Sequence, residues 1–366
     1  MRDKKGLKKG TIDYWLFVIV LILCCIGLVM VLSASQYAAA YDFGDSYYYL
    51  KRQVINIIVG LAVMFVAVKF DYRAYAGLAW PIFWAGVLMM ALVMFTPLGD
   101  DSGGSVRWLK IGPVRFLPSD VMKLSMLVIL SRQLTDPTPG FANNAWAYLM
   151  LAGVCCAMVA YNDLGTGIVM GITAMLLLFI GGIKLRYLLG LVGAGLGGIA
   201  VMIALRPYRM KRLTSFLDPW EDYYGAGYQL VQSLLAIGSG GLMGVGLGQG
   251  GAKWFYLPER HTDFIFAIVV EEGGLLFGAV LLLLFALFTW RGLTIAMRVK
   301  DYFGRLMASG LTLMITVQAM VNISIALGMM PVTGITLPFI SYGGTSLVIS
   351  LASVGVLLNI SKFAER

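Results

Sequence analysis

Five charged residues and the only histidine of the chain crowd one otherwise apolar stretch, LPERHTDFIFAIVVEEGG, residues 257–274. Asp263 leads directly into an apolar run, and Glu271 and Glu272 lie inside that run. A carboxylate at such a point can serve as a general base that takes the proton of an attacking hydroxyl. His261 titrates near neutrality when unperturbed, but Arg260 beside it disfavours its charged form, and we assign it no catalytic role. At 100° per residue Glu271 falls about 80° from Asp263 and Glu272 about 180°. Glu271 is therefore expected to approach the same cavity as Asp263. Glu272 is expected to pair with a buried Lys or Arg on another element. A carboxylate or ammonium at the bilayer centre costs about 2.5–3.5 kcal/mol, so such residues are functional candidates by default.

Other chemistry-bearing residues recur in three places. Asp120 and Lys123 are three apart and share one helix face. They read as an ion pair that also faces an internal cleft near an anionic ligand. Asp163, in YNDLGTG, reads as a backbone cap at a tight turn. Two long loops hold cations. Arg107, Lys110 and Arg115 lie with Trp108 in PLGDDSGGSVRWLKIGPVRFLPSD, and Arg206, Arg209, Lys211, Arg212, Lys253 and Arg260 lie in the other. Positive charge retained outside runs against the usual bias and suggests an anionic ligand; long loops also cross membranes regardless of charge. Cys24–Cys25 and Cys155–Cys156 are adjacent pairs inside apolar runs and read as packing residues. No set of His, Cys and carboxylate has metal-ligand spacing, and no Gly-x-Ser-x-Gly elbow occurs.

The elements that position these residues are membrane helices. Of 366 residues, 59% are hydrophobic and 13% charged, against about 25% charged in soluble domains. Apolar runs near the bilayer-spanning length of about 20 residues recur throughout. We predict an all-α polytopic membrane protein, one integral domain over 1–366. Its ten transmembrane helices are expected at 14–34, 54–70, 77–96, 119–134, 145–161, 166–183, 187–205, 263–290, 304–329 and 345–361. Ser119 is the expected N-cap of the fourth. Ten spans place both termini on one side, and the basic tail 1–13 makes that side cytoplasmic. The first apolar run is too long for a cleaved signal peptide. A large structured external loop, 206–262, joins spans 7 and 8. It contains a helical pattern, YQLVQSLLAIG, and a glycine run, GSGGLMGVGLGQGG, suited to backbone lying close to the membrane surface or a ligand. The segment PVTGITLPFISYGGTS (331–346) reads as re-entrant, because non-helical backbone at membrane depth must be covered by protein or line a cavity. No internal repeat is present, which counts against transport.

VLSAS, KRQ (51–53), SVRWLKIGPVRFLPSD, DLGTG (163–167), LDPWEDYYGAGYQLVQSLLAIGSGG, FYLPERHTDFIFA and PVTGITLPFISYGGTSL follow one another along essentially the whole chain. In this ordered set the chain resembles the SEDS family (shape, elongation, division and sporulation), in its FtsW and sporulation branch more than in RodA. The resemblance implies a peptidoglycan glycosyltransferase in the bacterial inner membrane. It would polymerise lipid II on the outer face, with release of undecaprenyl diphosphate, in cell division or sporulation. It implies that Asp263, the aspartate of the HTDF motif, is the catalytic residue. The Pro-Ser-acid-x-x-Lys motif falls on Asp120 and Lys123, with Asp where many members carry Glu. The family's Gln-Pro before Asp-Leu-Gly-Thr is replaced by Tyr161 and Asn162, while Asp163 is retained. On this reading Arg52, Arg107, Lys123 and Arg212 hold the diphosphates, and Trp108, Asp120 and Glu271 also contact substrate. Asp163, Glu272, Ser341 and Gly343 support the site. A divalent cation, Mg or Mn, is expected among Asp263, Asp120 and the phosphates, with no organic cofactor. Expected partners are a growing glycan strand, a class B penicillin-binding protein and other divisome or elongasome proteins, with no nucleic acid. Two alternatives stay open: a flippase or other transporter of a lipid-linked precursor, and a divisome scaffold without chemistry.

Overall fold

The structure, a computed structural model, describes residues 10–101, 106–112, 114–138, 140–141, 144–204, 207–254 and 256–365. Most of the basic tail and Arg206 lie outside the described residues. Among the described residues there are thirteen helices and three short strands. In chain order they are α1 (Tyr14–Phe43), α2 (Tyr48–Lys69), α3 (Arg73–Gly77), α4 (Ala79–Phe95), β1 (Gly99–Asp101), β2 (Val106–Ile111), β3 (Val114–Phe116), α5 (Pro118–Thr135), α6 (Ala145–Asn162), α7 (Leu164–Ile180), α8 (Leu185–Ala204), α9 (Pro207–Leu217), α10 (Tyr228–Gly240), α11 (Ile265–Arg298), α12 (Tyr302–Ala326) and α13 (Gly344–Ser361). Among the described residues, seven helices are long and apolar enough to cross a membrane, and α4 and α7 are shorter apolar helices of 17 residues. With the charged α5 they match the ten expected spans. The chain is thus a polytopic helical membrane protein.

Local signals set the helix ends. The Asp13 side chain accepts from the Leu16 N–H at the start of α1, and Gly44 closes that helix at φ 68°. Asp301 accepts from the Gly304 N–H at the start of α12. The expected Ser119 cap is not found. Pro118 occupies the first turn of α5 and Leu117 precedes it without a side-chain cap, as suits a residue with no N–H to satisfy. The loop after α4 departs from the expected all-α pattern: β1, β2 and β3 form a small antiparallel sheet in the order β1-β2-β3.

Helix α12 is central, with 78% of its most apolar window buried, whereas α8 stands at the edge with 6%. The core runs through α12, α11, α5, α13 and α1, from Leu16 through Met122 and Leu311 to Leu357. Residues 331–343 fold back into this core. Leu337, Phe339 and Ile340 are buried, and the Phe339 carbonyl abuts Gly27, near the middle of α1. The segment is therefore re-entrant in depth, and its backbone is satisfied by protein: Asn322 Nδ2 donates to Ile335 O, Gln318 Nε2 to Thr336 O, and Gln53 Nε2 to Ser341 O.

Helix α11 is not one helix. Gly274 interrupts it at φ 75° and ψ 177°, a conformation essentially reserved for glycine. A Cβ there would also meet Leu242 O at 2.3 Å. The glycine run after α10 fills the break. The N–H groups of Val245 and Gly246 donate to Glu271 O and Glu272 O, and those of Leu275 and Leu276 donate to Gly241 O and Leu242 O. Broken helices persist in lipid only when neighbouring groups complete their hydrogen bonds, and this hairpin supplies them.

Candidate active site

Asp263 sits in the turn just before α11, outside the spanning helix, and its surroundings hold that turn on three consecutive carbonyls. Tyr342 N–H donates to His261 O at 2.9 Å, Ser341 Oγ donates to Thr262 O, and Asn322 Nδ2 donates to Asp263 O at 2.7 Å. Glu259, where the turn begins, adopts φ 51°, a left-handed conformation costly for a side chain with Cβ. The re-entrant segment and α12 thus fix where the carboxylate points.

Four side chains from four separate parts of the chain meet here. Arg107 on β2 approaches Asp163 at the start of α7, Nη1 to Oδ1 4.0 Å. Gly334, at φ 74°, lies against both Arg107 and Asp263: a Cβ would sit 3.2 Å from Arg107 Nη1 and 3.3 Å from Asp263 Oδ2. Arg212 on α9 donates from Nη1 to Val332 O at 2.9 Å and lies 4.5 Å from the Tyr208 ring centre. Asp163 also caps α7, accepting from the Thr166 N–H and hydroxyl. Burial, then the carboxylates of Glu259 and Asp163, push Asp263 up to about 7, while Arg107 and Arg212 pull it down. Burial likewise drives His261 down to about 4, so its ring is neutral at neutral pH. Gly334→Ala places a methyl group between acid and guanidinium. It is expected to reduce activity at least tenfold while the thermal unfolding midpoint moves by a few degrees at most.

A cavity of about 800 Å³ opens beside this cluster. Its polar end carries Arg107, Tyr208, Arg209 and Arg212. Its other walls are mainly apolar, with Val93 and Met94 of α4, Leu164 and Ile168 of α7, and Ile199 and Ile203 of α8. Such a site suits an anionic group joined to a long apolar one.

The other residues singled out from sequence take different places. Lys123 pairs with Asp120 at 2.8 Å and donates to Gln318 Oε1 at 2.7 Å, with both members of the pair buried. Gln318 and Asn322, one turn apart on α12, link that pair to the Asp263 turn. Arg52 is not brought to the other arginines; it is exposed and stacks 4.4 Å from the Tyr48 ring centre. Trp108 sits in β2 opposite Asp100. The expectation for Glu271 is corrected. Its Oε1 accepts from the N–H groups of Gly251 and Ala252 at 2.7 and 3.0 Å, so it anchors the glycine-rich loop and does not face the Asp263 cavity. Glu272 pairs with Lys253 at 2.9 Å and accepts from Ser33. Gly343 precedes α13 with extended backbone. Sequence reasoning missed Asn322 and Gln318, whose signal was a pair of amides at i, i+4 in an apolar helix.

Among the described residues no three or more His, Cys, Asp or Glu side chains gather as metal ligands. Asp120, expected beside Asp263 in such a site, is turned to Lys123 instead. The residues present do not fit a resident metal.

A model of the FtsW/RodA/SpoVE family of cell cycle proteins matches residues 14–366. Stage V sporulation protein E of Bacillus subtilis (strain 168) is 40% identical over 98% of this chain and 99% of its own. A probable peptidoglycan glycosyltransferase FtsW of Geobacter sp. (strain M18) is 40% identical over 95% of this chain and 96% of its own. Among solved structures, a chain from a peptidoglycan synthase complex that coordinates polymerization and crosslinking is 32% identical, with TM-score 0.79, over 97% of this chain and 99% of its own. The rod shape determining protein RodA of Thermus thermophilus is 28% identical, with TM-score 0.72, over 97% and 98%. With nearly every residue from α1 onward matched, and its acidic turn, re-entrant segment and broken helix built on one continuous bundle, the chain belongs to the FtsW/RodA/SpoVE family.

Proposed function

We propose that this protein is a peptidoglycan glycosyltransferase that polymerises lipid II, acting at the outer face of the bacterial inner membrane. The observation that carries the reading is the Asp263 carboxylate, raised to about 7 and set across Gly334 from Arg107, which with Arg212 lines an adjoining cavity whose walls are mainly apolar. The reaction needs a base for a sugar hydroxyl, positive charge for a departing diphosphate and room for a polyprenyl chain. In the proposed step the acceptor hydroxyl oxygen bonds to the anomeric carbon of the donor as the bond from that carbon to phosphate breaks. The hydroxyl proton passes to Asp263, and the electron pair leaves on the diphosphate, whose charge Arg107 and Arg212 face. Preorganised cations act most strongly where charge develops in a water-poor site. A diphosphate leaves without a proton, so one carboxylate suffices, unlike the paired acids of glycosidases.

Both termini are cytoplasmic in this reading, and a class B penicillin-binding protein supplies crosslinking. A divalent cation, Mg or Mn, enters with the substrate as a counter-ion of its diphosphate. Among the described residues the buried charged side chains, Asp120, Lys123, Asp163, Lys253, Arg260, Glu271 and Glu272, lie toward the end of the bundle that holds the long loops. A transport path for a charged headgroup would call for charged residues through the full depth, whereas the buried polar groups deeper in the bundle, such as Gln133, Thr312 and Asn359, are uncharged, so the arrangement supports catalysis over translocation. The test is polymerisation of labelled lipid II by the purified protein, with and without its crosslinking partner and a chelator. Glycan strands are expected from the protein; their absence in every condition would overturn the reading.

The acidity of Asp263 gives a pH signature. A base must be deprotonated, so kcat/KM is expected to rise through about pH 7 and level off above it. Arg107 lowers the pKa of Asp263, so Arg107→Gln is expected to move the midpoint of the profile upward as well as slowing the reaction. A midpoint unmoved in that variant would dissociate Asp263 from the titration.

A further inference from the structure

A second cavity, of about 860 Å³, lies at the opposite end of the bundle, where both termini meet α11. Its walls come from residues 10–15, the last two turns of α11 and residues 361–365. The Gly10 N–H donates to Lys362 O and the Asp13 N–H to Ser361 Oγ, so the two ends of the chain close one side. Most charge on these walls is internally matched. Asp13 pairs with Arg291 and also accepts from Leu16, and Glu365 pairs with Lys300. Two guanidinium features remain. Arg291 keeps its Nε buried with no hydrogen-bond partner. Arg298, on the cavity wall, is exposed and has no acidic partner among the described residues. The rim is aromatic: Tyr14 and Trp15 line the cavity while 62% and 69% exposed, and Trp290, 60% exposed, stands beside Arg291.

Tyr and Trp at the end of apolar helices mark the bilayer–water interface. An arginine-bearing recess at that level meets phosphates, which guanidinium groups bind through paired N–H donors. We propose that this cavity is a binding site for the headgroup of an anionic phospholipid, with Arg298 facing the phosphate, the Asp13-paired Arg291 on the wall behind it, and Tyr14 and Trp15 flanking the acyl chains. The ligand chemistry is a phosphate ester. The aromatic rim favours a lipid over a free phosphate, which has no chains to flank. The site shares no lining residue with the cavity near Asp263 and needs no assumption about the reaction there.

The test uses the whole protein in vesicles of phosphatidylcholine containing either brominated phosphatidylglycerol or brominated phosphatidylcholine. Quenching at the site is the difference between the protein and its Trp15→Phe variant. The brominated anionic lipid is expected to quench Trp15 at lower mole fraction than the zwitterionic one. Arg298→Glu should weaken that preference about fivefold or more, the factor corresponding to about 1 kcal/mol for one cation near an anionic surface. A variant with Lys4, Lys5, Lys8 and Lys9 changed to Gln should keep the preference. Equal quenching by the two lipids, a preference unchanged in Arg298→Glu, or one lost only in the lysine variant would each overturn the proposal. Displacement by millimolar inorganic phosphate would assign the site to a free anion and overturn the lipid reading. Polymerisation by Arg298→Glu in detergent should match the parent protein, which separates this test from that of the Asp263 site.

Discussion

Asp263→Asn is expected to lower the rate of lipid II polymerisation by about 10²–10⁴-fold, the usual contribution of a positioned general base, without unfolding the protein. The amide keeps the size and shape of the carboxyl group, and the Asp263 carbonyl still accepts from Asn322. Stability should move the other way from activity. Asp263 titrates at about 7 in the fold against an ordinary value of 3.8. The folded state therefore binds this proton more tightly than the unfolded chain, and stability falls as pH rises between those values. At pH 8 the charged group is a burden on the native state, and the neutral amide removes it. The variant should thus melt at the same or a higher temperature at pH 8, with no such gain at pH 3. His261→Ala, two residues away, should leave most activity, because a ring held neutral beside Tyr49 and Tyr342 has no charge to contribute. Equal polymerisation by Asp263→Asn and the parent protein would remove Asp263 from the reaction. A variant that is inactive and also melts early at pH 8 would make the loss structural.

The second large effect is on folding. Lys253 and Glu272 are almost wholly inaccessible and 2.9 Å apart. Removing one member of a buried pair strands the other charge and typically costs about 3–5 kcal/mol, whereas replacing both with apolar groups of similar size is often neutral. Lys253→Met and Glu272→Leu are each expected to reduce the yield of folded protein sharply, and the double variant to recover most of it. The measurement is a double-mutant cycle of thermal stability in detergent. Single variants that melt with the parent protein would show that the pair carries no coupling. Ser33, which donates to both oxygens of Glu272, ties the pair to α1, so Ser33→Ala should give a smaller loss of the same sign.

The bundle was legible because its signal is local. Each span is an apolar run, and the expected ends agree with the helices to within a few residues except at α1, α2 and α11, whose ends run further. The re-entrant segment was legible from its prolines and glycines, since uncharged broken backbone has few places to go. Glu272 was legible as an ion-pair member because it lies opposite Asp263 on a helix wheel. What failed was whatever depends on contacts far apart in sequence. The turn at Gly274 needs residues 241–246 beside it, so the Gly273–Gly274 pair, the local sign of a breaker, does not by itself announce a fully broken helix. Because Asp263 lies in the turn before α11 and not on the helix, the angular argument for Glu271 does not decide its surroundings, and the carboxylate meets Gly251 and Ala252 instead. Arg107, Asp163, Arg212 and Asp263 come from β2, the start of α7, α9 and the turn before α11; only the fold brings them together. Arg52 shows the reverse: a cation in a promising motif that the fold sets against Tyr48 and Tyr342.

The hairpin that completes α11 also bears on how the chain is made. Gly241, Leu242, Val245 and Gly246, and with them Lys253 and Ser33, all precede Gly274 in the chain. A ribosome delivers them first. When the interrupted helix emerges, the groups that satisfy its exposed peptide bonds and its second glutamate have already been synthesised. The order of synthesis thus spares a defective segment from meeting lipid alone, and moving the glycine run to a later position in the chain would forfeit that protection.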